Sequence, residues 1–195
     1  FRSCPVPGNQ TDTAIIRTVK DDLDGWTLRR MFWVADRGFA SAANRAYLTR
    51  GGGHYIHAEK LRHTNKEAAA ALARPGRYAC VAGNLRVKEV NLGDGERFVI
   101  CHNPEAADRD ATIRTRMLAQ LGGLIDTSDR LSATKRAALR GVIPTKPGLN
   151  RYLRVTAAGL LHVDAAAIKA EEKLDGKYLL RATDRVDLEE GKRRP

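Results

Sequence analysis

Apolar residues first recur at helical spacing between residues 11 and 23, as Ile15, Ile16, Val19 and Leu23. Thr11 or Asp12 supplies the N-cap, Asp24-Gly25 ends the helix, and the stretch from Pro5 to Asp12 reads as a turn. Met31 to Ala35 is then a short continuous apolar run. Its length and aromatic content predict a buried strand in a sheet covered on both faces, stopped by Asp36-Arg37-Gly38. Ser41 to Arg50 predicts a helix with Ala43, Ala46, Tyr47 and Leu48 on its apolar side. Gly51-Gly52-Gly53 ends it, and His54 to Ala58 predicts a second short strand. Residues 8–60 thus alternate helix, strand, helix, strand, which predicts an α/β unit with parallel strands.

The pattern changes beyond residue 60. Asn65 to Ala73 is alanine-rich and helical until Pro75-Gly76. Arg77–Ala82, Leu85–Val90 and Arg97–His102 are strand-like runs separated by Gly83-Asn84 and Gly93-Asp94-Gly95, which predicts an antiparallel meander. Asn103-Pro104 breaks it. Asp108 to Leu121 reads as an arginine-rich helix ended by Gly122-Gly123, and Thr127 to Leu139 as a second polar helix. Pro144 to Gly148 reads as a loop. Tyr152–Val155, Leu160–Asp164 and Tyr178–Thr183 are short strand candidates, and Ala165 to Leu174 fits either a helix or a charged strand.

Composition narrows the class. With 195 residues and 43% hydrophobic content, the chain has material for one or two globular domains. Its net charge of +11 favours a polyanionic partner, of which nucleic acid is the commonest, over solubility alone. Cys4, Cys80 and Cys101 form no CxxC pair, which argues against a disulfide scaffold and fits a reducing cytoplasm. No apolar run reaches the roughly 20 residues of a membrane span, and the first residues do not read as a signal peptide. Both ends read as cuts within a longer coding frame, with no initiator Met at one and Lys192-Arg193-Arg194 as a frayed tail at the other.

The sharpest chemical candidate is Asp36. In open α/β sheets ligands sit beyond the carboxyl ends of the strands, and a carboxylate there, beside Arg37, stands where a hard cation is held near a phosphate. A plain cap on the following turn is the competing role. Around it lie Gly8-Asn9-Gln10-Thr11-Asp12, Val34-Ala35-Asp36-Arg37-Gly38-Phe39, Ser41, Asn44, Gly53-His54-Tyr55-Ile56, Lys60-Leu61-Arg62, Val87-Lys88-Glu89-Val90, Cys101-His102-Asn103-Pro104, Arg109, Asp110 and Asp175-Gly176-Lys177. This series, in this order, resembles the central part of bacterial insertion-sequence transposases of the DDE type. The Gly-Asn-x-x-Asp turn and the Asp-Arg-Gly-Phe strand end are its two specific parts.

The resemblance implies a partial RNase H-like core over residues 1–60, a strand-rich insertion with helices over 61–174, and a return strand over 175–195. It implies DNA cutting and joining at insertion-sequence ends through two Mg²⁺ or Mn²⁺ ions held by three acidic residues, with Asp36 as the second. The first Asp belongs on a strand before the Gly-Asn turn. The Glu belongs on a helix after the last strand, and neither Glu189 nor Glu190 carries its spaced motif. The chain alone is therefore expected to be inactive, with double-stranded DNA as partner, a homodimer on DNA, and the bacterial cytoplasm as its place.

Arg37, Lys60 and Arg62 follow strand ends and are the candidates for backbone-phosphate contacts, set against ordinary solvated charge. Arg109 and Arg116 fall on one side of their helix and Arg114 off it, which fits a solvated face better than a DNA stripe. His54, His57, Cys80, Cys101 and His102 match no common zinc spacing, and His54 and His57 belong to opposite faces of a strand. Gly51-Gly52-Gly53 lacks the ending of a phosphate loop, and no G-x-S-x-G elbow occurs. A non-catalytic basic DNA-binding remnant or regulator, and a basic α/β domain with another ligand, remain as alternatives.

Overall fold

The computed structural model describes residues 8, 11–23, 31–62, 65–93 and 95–183. Cα packing divides them into two compact units. One holds the chain up to His102 together with the strand from Tyr178, and the other spans Asn103–Lys177.

In the first unit, α1 (Asp12–Asp22) precedes β1 (Phe32–Ala35), α2 (Ala42–Leu48) and β2 (His54–Glu59). β1 and β2 are parallel, with Trp33 opposite Tyr55 and Ala35 opposite His57. Parallel neighbours need a crossover, and α2 provides it. Ser41 caps α2 by accepting the Asn44 N–H at 3.0 Å. Lys20 Nζ closes its other end on the carbonyls of Tyr47, Leu48 and Arg50 at 2.5, 3.3 and 3.1 Å, where a cation suits the helix dipole. The predicted helix–strand–helix–strand order and parallel pairing are as observed.

α3 (Lys66–Ala73) follows, capped by Asn65, whose Oδ1 accepts the Ala68 N–H at 3.1 Å. The predicted meander is formed by β3 (Ala79–Ala82), β4 (Leu85–Asn91) and β5 (Glu96–His102), all antiparallel neighbours. It does not stand apart. β8 (Lys177–Thr183) enters between β2 and β5, giving one six-stranded mixed sheet in the order β1-β2-β8-β5-β4-β3. β8 is antiparallel to β2, with Arg181 opposite His57 and Leu179 opposite Glu59.

Two apolar clusters hold this unit. Ile16, Leu48 and Tyr55 pack with Trp33, Ala35 and Phe39 between β1–β2 and helices α1 and α2. Ala68, Ala71, Val90, Phe98, Ile100 and Leu179 pack α3 onto the other strands. Small alanines let α3 approach closely, and each fully buried large side chain contributes about 1.5–3 kcal/mol.

β1 is not covered on both faces by the described residues: Phe32 and Val34 are 45% and 80% exposed, while Trp33 and Ala35 turn toward α1 and α2. A short all-apolar run does not by itself distinguish a doubly covered strand from one with a single packed face. On α2 the buried positions are Asn44 and Leu48, whereas Ala43 and Ala46 are exposed. The polar Asn44 goes inward because its amide has partners there.

The second unit contains α4 (Pro104–Ile125), α5 (Ala133–Val142), the hairpin β6 (Leu153–Val155) with β7 (Leu161–Val163), and α6 (Ala165–Glu172). Of residues 165–174, which fitted helix or strand, 165–172 form helix α6, capped by Asp164, whose Oδ1 accepts the Ala166 and Ala167 N–H groups. α4 does not stop at Gly122-Gly123. Leu121 and Ile125 are buried with Ile143, Leu149, Tyr152 and Leu161, and burial of a residue on each side of the glycine pair carries the helix through it. The unit also clasps its own ends. The Asn103 N–H reaches the Gly176 carbonyl at 2.9 Å, and the Gly176 N–H reaches Asp110 Oδ2 at 2.9 Å. Arg114 Nη1 meets both Asp175 oxygens at 2.5 and 2.7 Å. Gly176 has φ +62, and a Cβ there would meet the Ala107 nitrogen at 2.7 Å. No helix among the described residues is long and apolar enough to cross a membrane.

Candidate functional site

The carboxyl ends of β1 and β2 emerge side by side because the strands are parallel and adjacent. Asp36 and Arg37 follow β1, while Lys60 and Arg62 follow β2. All four are exposed. The four sequence-predicted residues therefore stand at one end of one parallel pair, the end where open α/β sheets carry ligands.

Asp36 is the N-cap of the 3₁₀ turn Arg37–Phe39, and its Oδ1 accepts the Arg37 N–H at 2.7 Å. The turn is held from beneath by Asn44. Its Nδ2 donates to the carbonyls of Phe39 and Thr13 at 3.0 and 2.8 Å, and its Oδ1 accepts from Arg17 Nε at 2.9 Å. The Asp12 carboxylate, at the start of α1, packs against Gly38, where a Cβ would displace it. Asp12 thus packs against the turn that Asp36 caps.

A divalent ion such as Mg²⁺ wants about six oxygen ligands. Asp36 offers one carboxylate, already engaged at one oxygen with a backbone N–H. Among the described residues no three His, Cys, Asp or Glu side chains gather into a metal-holding group. These residues do not by themselves make a two-metal centre.

Behind the loops lies a charged cluster that the sequence reading passed over. On the buried face of the sheet, β2 places Tyr55, His57 and Glu59 in succession, and β8 places Arg181 and Leu179 beside them. The Glu59 and Arg181 side chains are each only 5% exposed. Glu59 Oε1 lies 3.6 Å from Arg181 Nη1 and 3.5 Å from Arg45 Nη1, and its Oε2 accepts from Asn65 Nδ2 at 3.0 Å. Arg181 also pairs with Glu67 on α3 and sits over the Phe98 ring, 5.0 Å from its centre. Arg45 Nη2 reaches Glu67 at 3.9 Å. His57 stacks on Tyr55 with ring centres 4.9 Å apart.

Two carboxylates sharing two guanidiniums titrate in opposite directions. Burial pushes Glu59 above the usual carboxylate range, although Arg45 and Arg181 oppose the shift. The Arg181 hydrogen bond holds the more exposed Glu67 below it.

In front of this cluster is an open pocket of about 300 Å³, lined by Ala40, Arg45, Glu59, Lys60, Arg62, Asn65 and Glu67. The structure thus brings the predicted Lys60 and Arg62 together with Arg45, Glu59 and Glu67. Ala40, which follows the Asp36 turn, forms part of the same wall. The missed residues carried a faint signal: Tyr55, His57 and Glu59 share the period of a strand's inward face, so the last of them had to be a buried charge. Its partners, from α2, α3 and β8, could not be read locally.

Of the other candidates, Arg114 leaves the helix face of Arg109 and Arg116 to pair with Asp175, while those two are exposed. His54 and His57 lie on opposite faces of β2, as expected. Lys192, Arg193 and Arg194, together with Glu189 and Glu190, lie outside the described residues. Comparison of the chain with protein-family models, with curated proteins and with solved structures finds no match.

Proposed function

We propose that this chain is the central part of a DDE-type DNA transposase with an RNase H-like catalytic domain, which cuts and joins DNA at insertion-sequence ends. Asp36 is the carboxylate that contributes to holding Mg²⁺ or Mn²⁺, in company with acidic residues supplied from outside this chain. Arg37, Lys60 and Arg62 contact backbone phosphates of double-stranded DNA. The observation that carries this reading is the exposed carboxylate of Asp36 at the carboxyl end of a parallel strand, next to the basic end of its neighbour. The net charge of +11 supports the same partner.

The flanking coding sequence tests the reading directly. An Asp on a predicted strand upstream and a Glu on a predicted helix downstream are expected, and a frame without either removes the transposase assignment. The purified chain is expected to bind DNA in a salt-sensitive way without cutting it, because one carboxylate cannot hold two ions. Mg²⁺-dependent cleavage by this chain, abolished by Asp36→Asn, would overturn the reading that partner carboxylates lie elsewhere. The hydrogen bond from the Arg37 N–H to Asp36 favours a second reading, a DNA-binding regulator in which Asp36 is a turn cap. DNA affinity unchanged by metal and by Asp36→Asn selects it.

A further inference from the structure

We infer that the pocket formed by Arg45, Lys60, Arg62 and Asn65 is a binding site for the phosphoryl group of a phosphate ester. It relies on the nucleic-acid reading of Lys60 and Arg62 only for the source of that phosphate. Asp36 takes no part in it.

Three cationic side chains, Arg45, Lys60 and Arg62, line the pocket beside the two carboxylates of Glu59 and Glu67, with Arg181 behind them. The carboxylates point their charge at the arginines. Glu59 divides its oxygens among Arg45, Arg181 and Asn65, and Glu67 is held by Arg181 and approached by Arg45. Their effect is to fix the guanidinium of Arg45, whose side chain is only 16% exposed, before any ligand arrives.

Lys60 and Arg62 are exposed and come from the segment leaving β2, so they approach a ligand from the solvent side. A planar guanidinium fixed at the wall and an ammonium at the mouth is the donor set that phosphate oxygens take. A volume of about 300 Å³ lies at the small end of ligand sites, roughly 300–1,000 Å³, and accommodates a phosphate with the sugar it esterifies.

The test is NMR of the full chain, reading arginine Nε–Hε and backbone amide signals. The probes are inorganic phosphate, a nucleoside 5′-monophosphate and a twelve-nucleotide DNA strand, with acetate at equal ionic strength as control. Saturable shifts at Arg45, Arg62 and the 60–62 amides are expected with the phosphate probes and not with acetate. Lys60→Ala/Arg62→Ala should weaken phosphate-probe binding at least tenfold with amide dispersion retained. Arg86→Ala, at an exposed position of β4, should leave it within twofold. Equal response to acetate, or no saturable shift, overturns the site. A strand bound tenfold or more tightly than the monophosphate identifies nucleic acid as the source, and the reverse order identifies a free ester. DNA binding that survives the double substitution without shifting these signals refutes the pocket and leaves the nucleic-acid reading standing. Monophosphate in the pocket with no strand binding does the opposite.

Discussion

Replacing Arg181 by methionine removes the guanidinium between Glu59 and Glu67 while filling much of the same volume. The change strips Glu59 of one of its two arginine neighbours and Glu67 of its hydrogen bond. Glu59, 5% exposed at its side chain, keeps Arg45 at 3.5 Å, Asn65 at 3.0 Å and the His57 ring, whose Nδ1 lies 3.9 Å away. Deleting one member of a buried ion pair costs about 3–5 kcal/mol, because the stranded charge has lost its compensation without regaining water. Phe98 loses its cation–π neighbour as well, worth roughly 0.5–2 kcal/mol. A loss of about 3–5 kcal/mol is expected at pH 7, measured by urea unfolding with circular dichroism.

The pH dependence supplies the internal control. A raised folded-state value, as for Glu59, gives stability that is full below the unfolded value and lost as pH rises through the folded one. A depressed value, as for Glu67, gives stability present above the unfolded value and lost as pH falls. Wild type therefore loses its Glu67 contribution as pH drops below about 4.3, where the variant's Glu59 is relieved by protonation. The gap between wild type and Arg181→Met should narrow on acidification. Adding Glu59→Gln to Arg181→Met should recover at least half of the loss at pH 7. A loss under about 1 kcal/mol, a gap that widens toward low pH, or no recovery in the double variant would each refute the claim that these side chains form one buried charged network.

Three further outcomes are expected. Asn44→Leu leaves the Thr13 and Phe39 carbonyls without their amide donor; at about 1–3 kcal/mol for each stranded polar group, a loss of about 2–6 kcal/mol is expected by urea unfolding, with amide shifts at 36–40 showing a loosened Asp36 turn. Gly122→Ala with Gly123→Ala should stabilise the protein by about 1–2 kcal/mol in thermal melts, since alanine favours helix interiors by roughly 0.8–1 kcal/mol per site and nothing lies within 4 Å of a Cβ at either position. Arg37→Ala should weaken DNA binding and reduce the slope of log affinity against log salt by about one, measured by fluorescence anisotropy, and an unchanged slope would show that Arg37 touches no phosphate.

How much of this was legible in the chain depended on how local each cause was. The β1–α2–β2 order followed from a five-residue apolar run, a Ser41 cap and three glycines, all acting within a few residues. The meander followed from its turn signals. The charged cluster was not legible, because Arg45, Glu59, Glu67 and Arg181 come from four elements and meet only once β8 is placed beside β2. Gly122-Gly123 misled for the same reason. A glycine pair is a local stop signal, and the burial of Leu121 and Ile125 that overrides it is tertiary. Asp36 and Lys60 were legible as strand-end residues, whereas the pocket wall beside Lys60 was not.

The clasp between Asn103 and Gly176 has a consequence for how the sheet is assembled. β8 is the last described strand along the chain, yet it fills a gap between β2 and β5, and the Tyr55 N–H finds the Thr183 hydroxyl 128 residues away. Pairings that distant are slow to form because the loop must close before any contact rewards it. If the helical unit folds first, its own ends meet, and the chain leaving β5 re-emerges next to where it departed. β8 then returns to the sheet as the second arm of a hairpin would, and a long topological search is reduced to a short one.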